Sequence, residues 1–304
     1  MKSQYLLVAL LFIIACKDNA KKEVETETEK TQTEIEITKP LEKLASDFKF
    51  TEGPAVDAQG NVFFSDIPNS KIWIWQTNDS LVLFRENSNG SNGLYFDKNQ
   101  NLLACEGSES QISITSLDGD YRVIASEYQG KPFNKTNDIW ADQKGGYYFT
   151  DPQYGGDMEN LSQGGMHVFY ITPKTEEVIR VCDDYTRPNG IIGTPDGKTL
   201  YVTDRGAGKT YSYVIKDDGT LNNKKLFIDF GSDGMTIDLE GNIYITTKDK
   251  SQVDIFSKTG DLIKTIETPE VPTNICFGGK DRNELYITAQ TSLYRVGLNM
   301  KGVD

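Results

Sequence analysis

The sequence predicts an all-β fold, a six-bladed β-propeller with four antiparallel strands in each blade. Three observations lead there. From residue 50 onward a β-hairpin pattern recurs six times, each hairpin is followed by further alternating runs, and helical periodicity is missing from these repeats. The repeat length is near forty residues, as propeller blades require.

The hairpins come first. Residues 55–66 read AVDAQGNVFFSD and residues 235–246 read MTIDLEGNIYIT. The same shape returns at 95–106, 139–151, 191–204 and 276–288. Each unit is a short apolar run, an Asp/Gly/Asn turn and a second run rich in β-branched and aromatic residues. A third run follows, as at Lys71–Trp75, Gln111–Thr115 and Lys209–Ile215. A fourth completes the blade, as at Leu81–Phe84, Tyr121–Ala125 and Leu226–Ile228. The chain ends before the sixth blade has its fourth strand. Residues around 45–50 are expected to supply it and close the ring, which removes the open sheet edges.

The residues ahead of the propeller differ in kind. Residues 1–15 read as a signal peptide: Lys2, then an apolar run from Leu6 to Ala15 that is too short to span a bilayer as a helix. The run stops at Ile13-Ile14-Ala15-Cys16, which resembles a bacterial lipoprotein signal with Cys16 as the lipidated residue. Residues 16–44 read as the lipidated cysteine and a disordered Thr/Glu/Lys-rich tether. The propeller is assigned to residues 45–304. The expected location is the cell envelope, lipid-anchored, on the periplasmic face or the outer surface of the outer membrane. Cys105, Cys182 and Cys276 are widely spaced within or at the ends of apolar runs, and read as buried thiols rather than a disulfide framework.

Charge narrows the function. The chain has 45 acids, 32 bases and a net charge of −13. Nucleic acid is an unsuited partner, because phosphate binding needs a basic face. The balance fits a metal-ion site or neutral substrates. The single histidine, His167, excludes zincin motifs and multi-histidine metal sites. Gly208-Lys209-Thr210 resembles the end of a P-loop, but Thr203 stands where glycine is required and a strand pattern follows.

The functional reading rests on the residue that opens each inner strand: Glu52, Asn92, Asn137, Asn189, Asp233 and Asn274. Inner strands line the channel of a propeller, so one phase in six blades converges on the axis. All six offer side-chain oxygen, which suits a hard cation. Four of the six precede glycine, and Asn-Gly or Asp-Gly is also turn chemistry; Glu52 is a poor turn former and weighs against that explanation. The inner strand starts at this ring and the second strand returns to it, so loops between second and third strands rim the site. The one from Asp151 to Met166 is long and Gly-rich and reads as a lid. It carries Tyr154 and delivers His167 near the mouth.

These residues carry a family resemblance. Phe50-Thr-Glu-Gly-Pro54, Asn92-Gly-Leu-Tyr-Phe-Asp97, Thr136-Asn-Asp138, Phe149-Thr-Asp-Pro-Gln-Tyr-Gly155, Arg187-Pro-Asn-Gly190 and Asp233-Gly-Met235 resemble the SMP-30/gluconolactonase family, in order and over residues 48–298. The resemblance implies a metal-dependent hydrolase that opens a sugar lactone, a small-molecule substrate. It implies one divalent cation, Ca²⁺ first, with Mg²⁺, Mn²⁺ or Zn²⁺ as alternatives. Glu52, Asn137, Asn189 and Asp233 match the ligand positions. Asn92 and Asn274 match channel neighbours that contact substrate, and Tyr154 of the lid is read with them. Asp233 matches the family's proposed general base, with Asp138 and His167 as rivals. Lys135-Thr-Asn-Asp138 stands where members close to the gluconolactonases have Ser-Pro-Asn-Asp, and Ser232 where proline precedes Asp-Gly-Met. These departures bear on substrate choice. An ester or phosphotriester hydrolase at the same metal, and a non-catalytic sugar- or partner-binding propeller, are the competing readings. The protein is expected to be a monomer that meets the membrane only through its lipid.

Overall fold

A computed structural model describes residues 33–247 and 249–303. The expected signal peptide and Cys16 lie outside them. The compact unit starts at Ile35 and holds six four-stranded antiparallel sheets, the six blades. Their inner strands are Thr51–Val56, Ser91–Phe96, Ile139–Ala141, Pro188–Gly193, Met235–Ile237 and Asn274–Gly278. Successive inner strands lie against one another and surround the axis. Third strands fall where the alternation put them, at Lys71–Trp75, Gln111–Thr115 and Lys209–Ile215. A two-residue hairpin, Glu127–Tyr128 with Lys131–Pro132, stands between blades 2 and 3.

Ring closure differs from expectation. The fourth strand of blade 6 is Ile37–Ala45, antiparallel to Ser292–Leu298, so it lies ahead of residues 45–50 and inside the stretch read as tether. The reason is its position at the outer edge of the blade. Most of its side chains face solvent, and Lys39, Lys43 and Glu42 pair with Glu284, Glu270 and Arg295. A charged edge strand that also contains Pro40 has the composition of a linker.

Two local devices explain why the repeats look alike. The first is the turn between inner and second strands. Asp57 Oδ1 accepts the N–H groups of Gln59 and Asn61, Asp97 those of Asn99 and Asn101, and Asp238 those of Glu240 and Asn242, all at 2.8–2.9 Å. These Asx turns fix the register of each hairpin. The second device is a pair of residues at the end of the second strand. The hydroxyls of Ser65, Thr203 and Thr246 donate to the carbonyls of Asn92, Ser232 and Thr273 in the next blade. The following carboxylates, Asp66, Asp151 and Asp204, accept N–H groups from the segment that enters their own inner strand: Lys49 and Phe50, Asn134, and Thr186 and Arg187. Glu106 does the same through the Asn89 side chain at 2.7 Å. One residue ties neighbouring blades; the next holds the loop leading to the site.

The apolar core lies between blades. Trp140 stacks on Tyr148 with ring centroids 5.8 Å apart, Tyr148 meets Tyr170 at 4.3 Å, and Ile191, Leu200, Val202 and Ile245 continue the layer across three blades. Among the described residues Cys105, Cys182 and Cys276 form no disulfide; Cys105 and Cys276 are buried and Cys182 half-buried.

Asp151 yields a test of the carboxylate device. It is fully buried, and burial pushes its carboxyl up to about 8 against the N–H groups of Asn134 and Lys135, which favour the charge. A folded-state value above the unfolded one means stability is greatest at low pH and falls as pH rises through 8. Asp151→Asn retains an acceptor and removes the charge. Its melting temperature is expected to gain on the wild type from pH 5 to pH 8.5, at about 2–4 °C per kcal/mol. A gap that stays constant with pH, measured by calorimetric scans, refutes the buried charge as the cause.

Candidate active site

At the face where inner strands begin, the channel opens into a cavity of about 390 Å³. Its floor carries Glu52, Asn92, Asn137 and Asp233; Tyr154, Arg205 and Lys135 stand on its walls; Phe50, Ile67, Val271 and Pro272 add an apolar side. Each ring residue is delivered at or just before the start of an inner strand, and in four of the blades a second-strand carboxylate holds the segment leading there.

Asn189 joins the floor through its neighbours. Its Nδ2 donates to Asp233 Oδ1 and to the Tyr154 hydroxyl, both at 2.6 Å. Asn274 sits lower. It reaches both Glu52 and Asp138, and it lines the second cavity, about 250 Å³, at the opposite end of the channel. Asp138 also lines that second cavity rather than the first. The expected substrate-contact set is therefore divided: Asn92 and Tyr154 face the upper cavity and Asn274 the lower one.

Burial and charge act together on the carboxylates. Glu52 is buried, and desolvation, followed by the charge of Asp233, pushes it well above the usual range despite the Gly53 N–H at 3.0 Å from Oε2. Asp138 is pushed up to about 7, by burial first, while the Ile139 N–H at 3.0 Å opposes the shift. Arg205 Nη1 lies 3.2 Å from Asp233 Oδ2. Its guanidinium carbon stands 5.8 Å from the centre of the Tyr154 ring, and that of Arg187 stands 5.3 Å from the same ring. The lid tyrosine is thus held by two cations and by Asn189.

His167 does not line either cavity. It lies on the third strand of blade 3, two strands from the axis, opposite Asp151. Its Nε2 meets the Gln163 carbonyl at 3.2 Å and its ring stands edge-on to Phe169. Burial lowers its pKa. A lid that follows the second strand can bring its own tip over the cavity, as Tyr154 shows, but not the strand that follows it.

Arg205 escaped the sequence reading. Its signal is position: it follows the capping carboxylate Asp204 directly, so it stands on the rim of the blade that supplies Asn189.

The donors on the floor suit a cation. Among the described residues there is no group of three or more His, Cys, Asp or Glu arranged to hold a metal ion. The ring instead combines two carboxylates, Glu52 and Asp233, with amide oxygens, a set of hard oxygen donors. Two acids brought into one buried space, each disfavouring ionisation of the other, are what a divalent cation would offset.

Comparison with known proteins agrees with the fold and the motifs. A gluconolactonase of Zymomonas mobilis is 29% identical over 86% of this chain and 82% of its own length. A lactonase of Staphylococcus saprophyticus is 28% identical over 72% of this chain and 69% of its own. The structure of a gluconolactonase from Xanthomonas campestris superposes with a TM-score of 0.78 at 26% identity, covering 85% of this chain and 89% of that one. The profile of the SMP-30/Gluconolactonase/LRE-like region matches residues 50–291, and the chain belongs to that family.

Proposed function

We propose that this chain hydrolyses a lactone in the upper cavity. The observation that carries the reading is the meeting of Glu52, Asn137 and Asp233 on the floor of a cavity of about 390 Å³ that Tyr154 also lines, with Asn189 bonded to both Asp233 and Tyr154. The relatives named as gluconolactonase and lactonase support the reaction class.

Those four residues would hold a divalent cation, and their oxygen donors favour Ca²⁺. Such an ion, when bound, supplies Lewis-acid polarisation of a carbonyl oxygen. The remaining work belongs to the chain. Asn92 offers donor and acceptor groups to substrate hydroxyls, and the Tyr154 hydroxyl stands over the same space. Asp233 faces the cavity with a carboxylate oxygen placed to accept the proton of an attacking water. Attack on the lactone carbonyl carbon breaks the ring ester and leaves a hydroxy acid. Arg205, 3.2 Å from Asp233, favours the ionised form that a base needs. Asp138 is reached from the other cavity and acts through Asn274 and Glu52 as a positioning residue. His167 has no part.

The enzyme is further proposed to work at the cell envelope, lipid-anchored through Cys16, as the run Ile13-Ile14-Ala15-Cys16 suggests.

Two experiments test these readings. Glucono-1,5-lactone hydrolysis by the full chain is expected to stop after chelation and return with Ca²⁺, Mg²⁺, Mn²⁺ or Zn²⁺. Asp233→Asn should lower kcat by roughly 10²–10⁴-fold; near-full activity with metal retained removes Asp233 as the base. Separately, Cys16→Ala is expected to move the protein from the membrane fraction to the soluble fraction, and an unchanged distribution removes the lipid anchor.

A further inference from the structure

We infer that the lactone cleaved here carries an anionic group of its own, and that Arg205, with Lys135, selects it. This rests on the lactonase reading and deepens it to a substrate class.

The charge count of the cavity leads to it. Four formally charged side chains line the space: Glu52 and Asp233, Lys135 and Arg205. Their charges cancel. A divalent cation on the acids leaves the cavity at +2, within a chain whose net charge is −13. A neutral sugar lactone offers nothing to offset that excess. A lactone with a carboxylate or phosphate does, and the local field would draw it in against the charge of the whole molecule.

The geometry gives the cations to a ligand. Arg205 contacts Asp233 through Nη1, at 3.4 Å to Oδ1 and 3.2 Å to Oδ2, and is hydrogen-bonded to Tyr154, which together use only part of a guanidinium's five N–H donors, whose fork matches carboxylate or phosphate. Lys135 is exposed at the cavity wall and makes no ion pair among the described residues. Arg187 stands behind the Tyr154 ring with its Nε buried and without a hydrogen-bond partner, which adds positive potential on the same side. All three basic residues come from blades 3 and 4 or the segments leading into them, so the positive charge is gathered beneath the lid rather than spread around the rim. The acidity of the whole chain, which favoured neutral substrates, does not describe this cavity.

The test compares three lactones on the Ca²⁺-loaded full chain: glucono-1,5-lactone as the neutral member, glucaro-1,4-lactone for the carboxylate and 6-phosphoglucono-1,5-lactone for the phosphate. One anionic lactone is expected to exceed the neutral one by about tenfold or more in kcat/KM, with the excess falling as salt rises. Whichever exceeds it names the anion. Arg205→Gln is expected to lower kcat on all three lactones, because Arg205 also supports Asp233, and beyond that common loss to erase most of the preference through KM; Lys135→Gln should erase part of it, and Arg205→Lys should restore some. Ca²⁺ titration by calorimetry in each variant separates this from damage to the ion site. Equal or greater preference for the neutral lactone, or an anionic preference that Arg205→Gln leaves unchanged, overturns the inference. Should no lactone be opened, the lactonase reading fails by itself, and calorimetric binding of glucarate against gluconate decides this one. Tighter glucarate binding that Arg205→Gln abolishes supports it, and equal binding overturns it.

Discussion

The close approach of six inner strands around one axis is the constraint on which the rest of this molecule depends. At Gly93 an added Cβ would stand 2.7 Å from the Asn137 carbonyl oxygen and from the Asp138 Cα, and at Gly190 one would stand 2.6 Å from the Asp233 carbonyl oxygen. Neither glycine has a positive φ. They are there because the neighbouring blade occupies the place of a side chain. The turn explanation for Asn-Gly and Asp-Gly at these positions therefore gives way to packing. Omitting that side chain in four of the six blades lets the residue before it approach its counterparts, and Asn189 and Asp233 meet at 2.6 Å as a result. Crowding of backbone and convergence of donors are one geometric fact.

The second-strand ends turn that geometry into a rigid support. A hydroxyl such as Thr203 bonds the carbonyl of Ser232, next to Asp233, while Asp204 holds the N–H groups of Thr186 and Arg187 just ahead of Asn189. Two ring residues from different blades are thereby fixed by one pair of adjacent side chains. Burying a carboxylate to hold a loop is costly unless hydrogen bonds offset its desolvation. Asp204 meets this with N–H donors from Thr186, Arg187, Gly206 and Ala207. Asp151 has fewer, and one of its oxygens is buried without a partner, so burial raises its carboxyl.

Legibility in the sequence followed how strongly physics repeats a pattern. Asx turns, hydroxyl stitches and ring residues recur blade after blade, so blade count, strand order and the floor residues could be read from spacing. Features that occur once could not. The closing strand Ile37–Ala45 has a solvent-facing edge with the charge pattern of a linker, and its partner lies some 250 residues away along the chain, so local composition misplaced it. His167 drew attention as the sole histidine, yet its strand position sets its side chain among Phe169, Gln163 and Arg180. Arg205 drew none, because one arginine after an Asp on a strand end has no periodic signature. Its role depends on Asp233 and Tyr154, which belong to other blades.

Electrostatics then explains why the two ends of the channel differ. Both hold buried acids, but only at the upper end does one of these acids make an ion pair among the described residues. There Arg205 answers Asp233, and Arg187 and Arg205 flank Tyr154. At the lower end Asp138 has backbone N–H groups and Asn274 and makes no ion pair among the described residues; Lys98 and Arg282 line its cavity, but most of the lining is apolar, with Ile139, Ile191 and Met235 among it. A group held by neutral donors in apolar surroundings keeps its proton to higher pH than one beside a guanidinium. Asn274 joins the two ends, since it touches both Asp138 and Glu52. The charge state of the lower acid is thus felt at the floor of the upper cavity through one amide. The proposed chemistry is placed at the upper end because that is where an acid, an arginine and a substrate can share the same space.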